Sequence, residues 1–165
     1  MRLETRSVEW RGERAAWVTE SDDDACPICN RSHRGADRSV PSRILVAEDD
    51  PSIANLIAYN LKQDGHLLTV VADGAAALRA LRESPADLLI LDLLLPLQSG
   101  WQVLRELRSR REPRFAALPV LVVSALACER LERELERGGA QRVLGKPFSV
   151  AGLRESVRDL LEGVS

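Results

Sequence analysis

Asp87-Leu88-Leu89-Ile90-Leu91-Asp92-Leu93-Leu94-Leu95-Pro96-Leu97-Gln98-Ser99-Gly100 is the stretch on which the fold turns. Leu88 to Leu91 are apolar without alternation, which suits a strand buried on both faces rather than one with a wet side. The apolar run is far shorter than the roughly 20 residues that cross a bilayer, so it predicts a core strand and not a membrane span. One acid, Asp92, closes the strand.

The same unit repeats on either side. Ile44–Ala47 reads as a strand, followed by an amphipathic helix that Asp50 caps and Pro51 opens, with Ile53, Leu56, Ile57 and Leu61 at helical spacing and Gly65 at its end. Leu67–Val71 is a second strand and Gly74–Glu83 a second helix. Past Asp92 come helix Ser99–Arg111, strand Val120–Val123, helix Cys128–Arg137, strand Arg142–Leu144 and helix Ser149–Leu161. Five strands alternating with five helices predict a doubly wound α/β domain, a parallel sheet with helices on both faces.

In such sheets ligands bind beyond the carboxyl ends of the strands. Glu48-Asp49-Asp50 follow the first strand, Asp92 the third, Ser124 the fourth and Lys146-Pro147 the fifth. Glu48, Asp49 and Asp92 in one crevice repel one another unless a cation lies between them, and hard oxygen donors in that number suit Mg²⁺. An Asp92 oxygen can then attack phosphorus, with Mg²⁺ and the Lys146 ammonium neutralising the transferred oxygens and Ser124 donating a hydrogen bond. Each residue alone has a bland alternative: acids before a proline often only cap a helix, and a lysine is often only solvated. Of the 23 basic residues, however, only Lys62 and Lys146 are lysine, and Lys146 falls where a compact charge serves better than a planar guanidinium.

Four blocks now line up: Ile44-Leu45-Val46-Ala47-Glu48-Asp49-Asp50-Pro51, Asp87 to Gly100, Pro119-Val120-Leu121-Val122-Val123-Ser124-Ala125, and Gly145-Lys146-Pro147-Phe148. Together they resemble the signature blocks of two-component response-regulator receiver domains, in the family's order, across about 120 residues. The resemblance implies a flavodoxin-like sheet of strand order 2-1-3-4-5. It implies Asp92 as phosphoacceptor, with Mg²⁺ held by Glu48, Asp49, Asp92 and the backbone carbonyl of Leu94. Ser124 matches the switch hydroxyl, Ala125 the small residue that leaves room for the phosphoryl group, and Lys146 the lysine that pairs with it. A cis Lys146-Pro147 bond is also implied. The implied donors are a sensor histidine kinase or a phosphotransfer protein.

Rival chemistries fare less well. An aspartate-nucleophile phosphatase needs a second aspartate two residues after the first, where this chain has Leu94. Neither Gly-x-x-x-x-Gly-Lys nor Gly-x-Gly-x-x-Gly occurs, which removes the usual nucleotide loops. The reading is a phosphoacceptor switch rather than an enzyme, the alternative being a non-phosphorylated pseudo-receiver that serves only as an interaction module.

Residues 1–42 read as an N-terminal extension and residues 43–165 as the receiver. Within the extension, Val8 to Val18 suggests two short strands anchored by Trp10 and Trp17, and Asn30 to Pro41 reads as a linker. Cys26-Pro27-Ile28-Cys29 with His33 is the beginning of a Zn²⁺ site without an evident fourth ligand; two reduced cysteines on a flexible tail are the alternative. Three cysteines, an odd number, and an N-terminus without a secretory core point to the cytoplasm. The net charge of -2 offers no basic field for nucleic acid or membrane. The last helix ends four residues from the C-terminus, so no DNA-binding module is expected, and output falls to binding of a downstream protein. The charges of helix Cys128–Arg137 read as a solvated face with internal pairs, or else as intersubunit pairs of a homodimer.

Two departures from the family pattern matter. Val143 stands three residues before Lys146, where the family carries an aromatic, so switching is expected to run through backbone shifts after Ser124 and in helix Cys128–Arg137. Leu94 and Leu126, each two residues past a site residue, are bulky and apolar, which predicts slow spontaneous loss of the phosphoryl group. Replacing both with small polar residues is expected to shorten the half-life of the phosphorylated protein, followed by intact mass over time; an unchanged half-life refutes the idea.

Overall fold

The computed structural model describes residues 41–109, 112–125 and 129–163. The expected hairpin, Cys26, Cys29 and His33 lie outside the described residues, as do Leu126 and Cys128. In chain order the elements are β1 Arg43–Ala47, α1 Pro51–Gln63, β2 Leu67–Val71, α2 Gly74–Glu83, β3 Leu88–Asp92, α3 Gly100–Ser109, α4 Pro113–Ala117, β4 Val120–Ser124, α5 Glu129–Arg137, β5 Arg142–Gly145 and α6 Val150–Glu162. The strands form one parallel sheet in the order β2-β1-β3-β4-β5, as the resemblance implied.

Alternation along each strand sends side chains to two separate cores. Leu45, Ala47, Leu89, Leu91 and Val122 face α2, α3 and α5, packing on Leu78, Leu81, Val103, Leu107 and Leu135. Ile44, Val46, Leu88, Ile90 and Val123 face α1 and α6, packing on Ile57, Leu61, Leu153 and Val157. Two-sided burial is why β3 and β4 contain no alternation: every residue of both is buried. β2 departs from that expectation, being half-exposed along its length because it is an end strand with a neighbour on one side only.

Local signals place the helices. Asp50 accepts from the backbone N–H of Ser52 at 2.7 Å and of Ile53 at 3.2 Å, with Pro51 in the first turn. Those two N–H groups also hold its carboxyl below the usual carboxylate range. On α5, Arg130 and Glu134 form an internal pair at 3.3 Å, in line with the solvated-face reading. One helix was not foreseen from the sequence. α4 opens on Pro113 and buries Phe115, but at five residues it is too short to show periodicity.

Arg108 fastens the end of the sheet away from the carboxyl rim. From α3 its guanidinium donates to the carbonyls of Gly139 (2.6 and 3.0 Å), Phe115 (2.6 Å) and Leu118 (2.9 Å). It thereby ties α3 to α4 and to the turns that lead into β4 and β5. Burial pulls its pKa below the ordinary arginine value. Gly139 has φ of 95°, and a Cβ there would sit 2.5 Å from the Arg108 Nε, so the turn needs glycine twice over. Arg108→Met keeps the stem and strands three carbonyls; a loss of about 2–4 kcal/mol is expected in urea titration. Arg108→Lys is expected to recover less than half of that, because one ammonium does not span the three acceptors.

Candidate functional site

Strand register assembles the site. Ala47 pairs with Leu91, Asp92 with Val123 and Ser124 with Gly145, so the first polar residue at the end of each strand reaches the same rim. Glu48 extends the β1 ladder by one bond, its N–H donating to the Val71 carbonyl at 3.0 Å. Glu48 and Asp92 are 3% and 5% exposed, while Asp49 is exposed. Carboxylate oxygens from Glu48, Asp49 and Asp92 lie within 4.8 Å of one another.

Lys146 reaches into the same crevice. Its Nζ donates to both Glu48 oxygens, at 2.9 and 2.8 Å, and to Asp92 Oδ2 at 2.5 Å. The Lys146 backbone N–H donates to the Ser124 carbonyl at 2.8 Å, and the Lys146-Pro147 bond is cis, as implied. Ser124 is fully buried at the end of β4 and Ala125 follows it, exposed. The Leu94 N–H donates to Asp92 Oδ1 at 2.9 Å, and the Leu94 side chain is 60% exposed beside the acceptor. All the receiver residues anticipated from sequence thus sit on one rim.

Charge is unbalanced there. Three carboxylates face one ammonium, and two of the carboxylates are removed from water. Burial pushes the Glu48 carboxyl up, nearby Asp92 adds to the rise, and the Lys146 hydrogen bond offsets only part of it. Burial pulls the Lys146 ammonium down, but its bonds to Asp92 and Glu48 more than compensate, leaving it firmly charged. Three hard carboxylate donors at this spacing, with excess negative charge, fit Mg²⁺.

The loop after Asp92 is held from both ends, a feature the sequence reading passed over. A Cβ on Gly100 would fall 2.1 Å from the Asp92 carbonyl oxygen, so only glycine lets α3 begin this close to the acceptor. Leu97 adopts φ of 62°, a left-handed conformation that costs a leucine about 1–2 kcal/mol. On the next residue, Gln98 Nε2 donates to Glu106 Oε2 at 3.1 Å. Gly100 stood in the quoted stretch, but only the three-dimensional approach reveals its role; nothing in the sequence marked Leu97.

Comparison with known proteins gives the family. Residues 44–158 match the response regulator receiver domain, and the chain belongs to that family. It is 38% identical over 119 residues to the sensor histidine kinase TmoS of Ectopseudomonas mendocina, covering 72% of this chain and 12% of that one. It is 36% identical over 118 residues to the sensory transduction protein RegX3 of Mycolicibacterium smegmatis, covering 72% of this chain and 50% of the relative. The chain therefore spans half or less of these curated relatives. Among solved structures, it resembles the receiver domain of the sensor histidine kinase PA1611 from Pseudomonas aeruginosa PAO1, with a magnesium ion coordinated in its active-site cleft. That match has a TM-score of 0.67 and 28% identity, covering 74% of this chain and 99% of that one.

Receiver domains are phosphoacceptor switches of two-component signalling that bind Mg²⁺ at such an acidic pocket. The family match begins at residue 44, so nothing in it supports Zn²⁺ at Cys26, Cys29 and His33. Among the described residues, no helix is long and apolar enough to cross a membrane.

Asp49→Asn relieves repulsion without removing a Lys146 contact. It is expected to raise the metal-free melting temperature by a few degrees, for roughly 1 kcal/mol. The rise that Mg²⁺ produces in the wild type should shrink in this variant. A melting temperature that responds equally to Mg²⁺ in both proteins would refute the assignment.

Proposed function

We propose that Asp92 accepts a phosphoryl group from a sensor histidine kinase or a phosphotransfer protein, in a Mg²⁺-dependent reaction, and that the phosphorylated domain signals by binding another protein. The observation that carries this reading is the meeting of three carboxylates within 4.8 Å of one another and a lysine that contacts two of them. Residues 43–165 form the receiver in this account, preceded by an extension over residues 1–42. Its phosphate donors place the protein in the cytoplasm.

Glu48, Asp49, Asp92 and the Leu94 carbonyl would hold the ion, which when bound supplies positive charge to the transferred oxygens. An Asp92 carboxylate oxygen forms the new O–P bond as the P–N bond of the donor's phosphohistidine breaks. The imidazole leaves with that electron pair and takes a proton from water. Lys146 exchanges an Asp92 contact for a phosphoryl oxygen, Ser124 donates a hydrogen bond to another, and Ala125 leaves them space. The domain catalyses no turnover beyond its own phosphorylation and the later hydrolysis of the aspartyl phosphate.

Val143 pairs with Val122 on β5 and is half-buried against the core that α5 shares. With no aromatic ring there to swing, the signal passes from Ser124 along the backbone towards α5.

The test is incubation of the full chain with phosphoramidate or acetyl phosphate, with and without Mg²⁺, followed by intact mass. A single phosphoryl adduct is expected in wild type with Mg²⁺, none without it, and none in Asp92→Asn. No adduct from these small donors or from a panel of phosphorylated histidine kinases would overturn the proposal in favour of an interaction module.

A further inference from the structure

The two edges of the sheet are dressed differently. β5 begins with Arg142, paired with Asp159 of α6 at 2.9 Å, and runs directly into Lys146. β2, at the other edge, is Leu67-Leu68-Thr69-Val70-Val71, without charge, proline or glycine. Among the described residues it pairs with β1 alone. Leu67 is 57% exposed on one face of the strand and Val70 45% on the other. Alongside runs a groove of about 360 Å³, walled by Leu67 and Thr69 on one side and by Ala80, Ser84 and Pro85 on the other. Soluble proteins usually blunt such an edge with lysine, proline or a bulge, because its free N–H and C=O groups are a template for another strand.

The strand is symmetric in kind about Thr69, with two aliphatic residues on each side. Consider a two-fold axis through Thr69, perpendicular to the sheet. Thr69 then faces Thr69 of the second copy, Leu67 faces Val71, and Leu68 faces Val70. Every apolar side chain meets an aliphatic one on its own face, the two threonines can share a hydrogen bond, and no like charges are opposed. Self-complementarity of this kind is what an isologous dimer requires. We propose that β2 pairs antiparallel with β2 of a second copy, fusing two five-stranded sheets into one continuous sheet. The surface lies outside the phosphoacceptor site, so the proposal does not rest on the function given above.

Sedimentation equilibrium of the full chain, from about 1 μM to 1 mM, is expected to show a monomer–dimer equilibrium with micromolar affinity. Thr69→Lys changes a side chain already in solvent and sets two ammonium groups opposite each other; it should weaken the dimer about tenfold or more. Opposed residues of an antiparallel pair have Cα atoms within disulfide range. Oxidised Thr69→Cys should therefore yield a covalent dimer whose bridge, located by peptide mass mapping, joins the two introduced thiols, whereas Leu67→Cys should give no such symmetric bridge. A chain that stays monomeric throughout, a dimer indifferent to Thr69→Lys, or a Thr69→Cys dimer without that bridge would each overturn the proposal.

Discussion

Burying like charges side by side is the constraint around which the rest is arranged. Glu48 and Asp92 are taken almost wholly out of water and lie next to Asp49, an arrangement that opposes folding. Parallel strands make it unavoidable, since in-register pairing of β1, β3, β4 and β5 delivers every strand's last residue to one rim. Two apolar cores, one on each face, supply the stability that tolerates it. Lys146 relieves part of the repulsion by bonding to both buried acids. The remainder is what makes the crevice receptive to a further cation.

How much of this the sequence reveals depends on the range of the interaction involved. Buried strands such as Leu88–Asp92 declare themselves because burial on both faces erases alternation, and α1 declares itself because Asp50 and Pro51 act within one turn. The site residues are legible for a related reason: each stands directly at the end of a legible strand, so knowing that the sheet is parallel is enough to gather them. α4 escapes because five residues cannot show a period. The half-exposed state of β2 escapes because apolar residues look the same on an edge strand as in the middle of a sheet, and strand order is not a local property. Arg108 and Gly100 escape because their partners are distant in the chain or are backbone atoms.

The sheet thus has a chemical end and a fastening end. At the first, the loop from Leu93 to Ser99 is pressed against Asp92 and carries a left-handed Leu97. Strain next to the acceptor is compatible with a switch, because relieving a left-handed leucine offsets part of the cost of settling into another arrangement. At the second end, α3, α4 and the turns before β4 and β5 are tied together, so rearrangement around Ser124 need not loosen the domain.

That fastening has an unusual electrical character. Arg108 meets three main-chain carbonyls and the amide oxygen of Gln141, all uncharged. Among the described residues this guanidinium meets dipoles and no carboxylate, so no acidic partner is there to protonate, and close hydrogen bonds of this kind feel dissolved ions far less than exposed ion pairs do. The Arg108 fastening is therefore nearly indifferent to acidity and ionic strength, whereas the cohesion of the acceptor crevice, built from buried carboxylates and one ammonium, follows the protonation of its acids. Acidification would be registered at the acceptor while the Arg108 fastening stays as it was.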